Sequence, residues 1–116
     1  MGLRDRLRGL QADTVTIDQE RLSGRYGGVG ATPIAEAPLR TPVHVAGEIT
    51  SIRVVPRAGS PSLEVSVNDG TGLAVGVFTG RRSIPGITPG RGIALKGVAR
   101  QDHKRILLMN PSYQLL

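Results

Sequence analysis

The sequence predicts an all-β fold, a small closed barrel of five strands with a short N-terminal helix or flexible N-terminal arm. Three observations point there. From Thr41 onward, apolar and polar residues alternate in short segments, turn-forming residues separate those segments, and the first segment changes phase partway along. With 16 Gly and 8 Pro in 116 residues, tight turns are favoured over long helices. A chain of this length holds one domain, here divided into residues 1–40, a helix and a Gly/Pro-rich linker, and residues 41–116, the barrel.

The first strand begins at residues 43–49 (VHVAGEI), where odd positions are apolar or Gly. After Ile49 the alternation passes to even positions, Ile52 and Val54. A period of two cannot absorb an odd step without turning apolar side chains into water, so a bulge or bend is expected at Thr50-Ser51. The strand stops at Val55-Pro56. A second strand, residues 63–68 (LEVSVN), directs Leu63, Val65 and Val67 inward and Glu64, Ser66 and Asn68 outward. Asp69-Gly70-Thr71-Gly72 then makes a hairpin turn, in which Asp bonds nearby backbone and Gly supplies positive φ. On the third strand, residues 73–78, the same alternation assigns Leu73, Val75 and Val77 to the interior and Ala74, Gly76 and Phe78 to the opposite face.

Residues 80–90 carry too much Pro and Gly for a long helix. The fourth strand runs from about Arg91 to Ala99, with Ile93 and Leu95 inward. After a turn at Gln101-Asp102-His103-Lys104, the fifth strand covers Arg105 to Met109, with Leu107 and Met109 assigned inward. Asn110-Pro111 interrupts it, and Ser112 to Leu116 continues as a short edge segment. Closure into a barrel is favoured over a sandwich because a long, bent first strand can pair on both sides of the seam. Before Thr41 the pattern is weaker. Leu3, Leu7 and Leu10 fall at helical spacing within residues 2–12, and Asp5 and Arg8 stand at i,i+3, so this segment forms a short helix that docks, self-associates or frays. The run SGRYGGVGATPIAEAP (23–38) reads as a loop or mobile linker.

Composition narrows function. The chain has no Cys, which excludes disulfides and thiolate metal sites. No run of about 18 apolar residues is present, and the N-terminal residues lack the apolar core of a secretory signal, so the expected location is cytoplasmic, with no membrane role. All of the net charge of +6 comes from residues 40–116. Residues 1–39 balance five Arg against five acids, whereas residues 40–116 hold eight Arg and two Lys against four acids, which is 10 − 4 = +6. A basic domain points to a polyanionic partner. Only 2 Tyr and 1 Phe are available for base stacking. No Walker motif, zinc spacing or nucleophile elbow appears. No catalytic residue, cofactor or metal is therefore assigned, and His44 and His103 are not read as ligands.

Four stretches, VAGEITSIRVVPR (45–57), LEVSVNDGTG (63–72), GRRSIPGI (80–87) and NPSYQLL (110–116), resemble small actinobacterial OB-fold nucleic-acid-binding proteins. The resemblance implies an OB-fold that binds single-stranded DNA or RNA across its second and third strands, between the loops joining strands one to two and four to five. Carried onto this chain, those loops are Arg57 to Pro61 and Gln101 to Lys104. The candidate nucleic-acid-binding residues are then Arg53, Arg57, Phe78, Arg81, Arg82, His103, Lys104 and Arg105. Each has a plainer alternative. Arg53 can be the wet face of its strand, Arg81-Arg82 can cap carbonyls, Lys104-Arg105 can be a solvated turn, and Phe78 can be core instead of a stacking platform. The alternative function is a protein-interaction OB domain in a replication, repair or translation assembly, engaging a protein partner or a second copy through the N-terminal helix or an open strand edge.

Overall fold

A computed structural model describes residues 19–26 and 30–116. Six strands follow one another: β1 (Pro42–Arg57), β2 (Ser60–Asn68), β3 (Leu73–Thr79), β4 (Gly92–Asp102), β5 (Arg105–Met109) and β6 (Ser112–Leu115). Their order in the sheet is β1-β2-β3-β5-β4-β6, and an added β1–β4 pairing closes the first five into a ring. All neighbours are antiparallel except β3 and β5.

The 16-residue β1 makes the closure possible. Its first half, Pro42 to Glu48, pairs with β4, and its second half, Glu48 to Arg57, pairs with β2. The β1–β2 register shifts between Ile49 and Ser51, where the change of apolar phase predicted a bulge. Two backbone bonds brace that bend: Ile49 N–H donates to the Arg91 carbonyl at 2.9 Å and Gly90 N–H donates to the Ile49 carbonyl at 2.8 Å. At the crossing, Gly47 is required by close approach, because a Cβ there would stand 2.6 Å from the Asn68 carbonyl oxygen.

Inside the ring, Val45, Val65, Val67, Ile93, Leu95 and Leu108 are fully buried. Ile84 and Ile87 of the β3–β4 connection join this core. The interior faces of β3 and β5 are the reverse of those assigned by alternation. Leu63 pairs with Phe78, Val65 with Gly76 and Val67 with Ala74, so the inward row of β2 meets the even-numbered residues of β3. Ile106 and Leu108, not Leu107 and Met109, complete the interior on β5. Val75, Val77 and Leu107 instead form a separate apolar cluster on the outer face. The physical reason lies in the hairpin register, which puts Asn68 opposite Leu73 and therefore places both on the outside. Val54, assigned inward, is 51% exposed, because β1 has by then left β4 and keeps β2 alone.

The helix expected at residues 2–12 lies outside the described residues. Residues 19–26 are helical, so residues 23–26 of the stretch read as a linker belong to a helix, and a 3₁₀ turn follows at Ile34–Glu36. Leu22 and Tyr26 are buried against Ala46 and Ala94 on the outside of β1 and β4, and Ile34 enters the main core. Asp69 ties this segment down. Its Oδ1 accepts from the N–H groups of Thr71 and Gly72 at 2.9 and 3.1 Å, while Oδ2 accepts from the Ile34 N–H at 2.9 Å. The hairpin turn thus has a second use, as an anchor. Gly70 fits beneath the helix with φ +90°, where a Cβ would strike the Gln19 carbonyl.

Candidate nucleic-acid interface

The candidate residues lie on β1 (Arg53 and Arg57), β3 (Phe78) and β5 (Arg105) and in two turns, that of Arg81 and Arg82 and that of His103 and Lys104. On β1 and β2 the register opposes Arg53 to Glu64, Val55 to Ser62 and Arg57 to Ser60. Leu63 and Val65 point into the barrel, so Ser62 and Glu64 point out beside the two arginines. Arg53 Nη2 donates to Glu64 Oε1 at 3.2 Å and Arg57 Nη2 donates to Glu64 Oε2 at 3.2 Å. The Glu64 side chain is only 6% exposed, against 66% for Arg53 and 36% for Arg57. A carboxylate this deeply placed is tolerable because it is paired twice. Two donors beside it, Arg57 Nε and Ser62 Oγ, are buried and find no partner among the described residues.

Arg81 and Arg82 are exposed in the turn after β3. Gly80 N–H donates to the Pro61 carbonyl at 2.8 Å, which holds this turn against the start of β2. Thr79 is fixed from the other side, its N–H and hydroxyl donating to Asn110 Oδ1 at 2.9 and 3.0 Å. Arg81 and Arg82 therefore share one end of the barrel with Arg57.

His103, Lys104 and Arg105 stand at the other end. The parallel register Ala74 to Ile106 sets the start of β5 beside the start of β3, whereas Ser62 opposite Thr79 sets the start of β2 beside its end. The seven residues of β3 separate the two ends by about 20 Å at ~3.3 Å per residue. His103 occupies the turn with φ +58° and a side chain 92% exposed. Arg105 is committed to Asp102, with Nη2 and Nε donating to Oδ2 at 3.0 and 3.1 Å.

Phe78 is withdrawn from the interface. It is 7% exposed in the main core and meets Tyr113 edge to face, with ring centroids 5.7 Å apart and planes at 88°. Its assignment as a stacking platform is corrected: the β2–β3 register turns even-numbered side chains inward. Between the cationic ends lie Val75, Val77 and Leu107, themselves buried, bordered by Leu73 and Met109, which are 43% and 38% exposed. Sequence reading placed Glu64 outward but missed it as the partner of Arg53 and Arg57. The local signal was weak, since a Glu eleven residues from one Arg becomes its neighbour only through the strand register.

No family model and no curated protein matches the chain. Among solved structures it is similar to "OBody AM3L09 bound to hen egg-white lysozyme", at 14% identity and a TM-score of 0.54, covering 74% of this chain and 94% of that one. At such identity the likeness concerns the fold alone, an OB-like barrel with the closed five-strand ring described above.

Proposed function

We propose that this chain is a non-enzymatic OB-fold module that binds single-stranded DNA or RNA, chiefly through phosphate contacts. One observation carries the reading: seven of the predicted basic residues stand in two groups at opposite ends of β3, Arg53, Arg57, Arg81 and Arg82 at one and His103, Lys104 and Arg105 at the other. A strand lying across the outer face meets cations on both flanks. The net +6 of residues 40–116 supports the same polyanionic ligand. With Phe78 buried, base stacking on it contributes nothing, so binding is modest, sequence-tolerant and strongly salt-dependent.

Titration of labelled single- and double-stranded DNA and RNA at two salt concentrations tests this. Binding should strengthen as salt falls, with single strands preferred. Absence of any complex at ~50 mM salt sinks the reading, because phosphate-dominated association is strongest there. A protein-interaction module is the second reading, favoured by Leu73 and Met109, two exposed apolar side chains on the same face. That alternative predicts association that barely changes with salt.

A further inference from the structure

We propose that Glu64 is a built-in competitor for phosphate at the β1–β2 end of the outer face, and that Arg57 Nε and Ser62 Oγ receive the incoming phosphate oxygen. For its macromolecular ligand this rests on the nucleic-acid reading. Its local chemistry needs only a phosphate.

Charge comes first. Arg53, Arg57 and Glu64 together carry two positive charges and one negative, so a phosphate arriving here meets half the attraction that the arginine count suggests. Carboxylate and phosphate oxygens accept from the same planar guanidinium forks, which makes them rivals for one set of donors. The rival already present holds those donors loosely. Each arginine gives Glu64 one Nη2 contact at 3.2 Å, longer than the ~2.7–2.9 Å of a strong charge-assisted bond. Neither fork is saturated.

The orphan donors give the second, independent observation. Ser62 is 1% exposed, yet among the described residues neither its hydroxyl nor the equally buried Arg57 Nε has a partner. Polar groups removed from water are normally satisfied, so this pair calls for an acceptor. Register places them together: Val55 faces Ser62 and Arg57 faces Ser60, making Arg57 and Ser62 diagonal neighbours on the outer face. An oxyanion at this spot completes both donors and lies against the two guanidiniums. Glu64 opposes it by charge and by prior occupancy. The carboxylate thereby sets affinity, while its buried position keeps both arginines aimed at the face.

Two probes separate this inference from the broader reading. The first is inorganic phosphate, titrated into the full chain, Glu64→Gln and Ser62→Ala, with the Nε–H resonances of Arg53 and Arg57 followed by NMR. The Arg57 signal should move on titration. The midpoint should fall roughly five- to tenfold in E64Q, through loss of one nearby charge, and rise roughly threefold or more in S62A, through loss of one donor. Signals unmoved in every chain, or an E64Q midpoint equal to or above that of the parent, overturn the competitor role. An unchanged S62A midpoint removes Ser62 from the site; because its hydroxyl bonds to nothing described, this variant tests the site even if E64Q folds poorly. The second probe is a single-stranded oligonucleotide. E64Q should bind it more tightly, with a salt slope steeper by about 0.7, one further single-strand phosphate contact. Failure of every chain to bind the oligonucleotide while phosphate still shifts Arg57 overturns the nucleic-acid reading and leaves the phosphate site standing.

Discussion

The two ends of β3 each set arginine beside a carboxylate, yet the pairs differ in kind. At the β1–β2 end, Glu64 is nearly buried and shared by two arginines. At the β4–β5 turn, Asp102 is 28% exposed and holds Arg105 at i,i+3. In the first case the carboxylate is removed from water, so the two ion pairs offset its lost hydration. In the second, both partners are partly exposed, water competes and the pair contributes little. Equal residue types in equal proximity thus give one structural cluster and one incidental contact. Burial of the acid makes the difference.

That contrast can be broken in order of expected effect. Replacing Arg53 and Arg57 together with Ala strands the Glu64 carboxylate, and should cost about 3–5 kcal/mol in urea unfolding. A loss below ~1 kcal/mol would mean that water reaches Glu64 and that the two ends are alike. Arg81→Ala with Arg82→Ala should leave unfolding within about 0.5 kcal/mol of the parent. The same pair should flatten the oligonucleotide salt slope by about 1.4, from two lost phosphate contacts at ~0.7 each. An unaltered slope would move the interface away from this turn. Arg105→Ala should lower stability by no more than about 1 kcal/mol, since its partner is a partly exposed acid. The smallest change expected is for Lys104→Ala, a slope reduction of about 0.7 with the melting temperature unmoved.

How much of this was legible beforehand follows from where each signal resides. The bend of β1 was visible because a phase change is a property of the local pattern, and the Asp69-Gly70-Thr71-Gly72 turn because its residues bond to their own backbone. The facing of β3 was not. Val75 and Val77 alternate with Ala74, Gly76 and Phe78, and both sets are buried, so alternation alone favours the β-branched set and picks the wrong one. Residues 30–38 looked like a linker because their anchors, the Asp69 carboxylate and the core that receives Ile34, come from elsewhere in the chain.

The sequence by itself determined an all-β chain, the strand that bends to close it, the turns between strands and the concentration of positive charge in the barrel region. These depend on near neighbours and on totals. Tertiary structure alone decided which side of β3 faces in, that Phe78 is core, and that Glu64 stands between Arg53 and Arg57. Those outcomes depend on register between strands, and a single-residue shift in register exchanges inside for outside without altering the pattern of either strand.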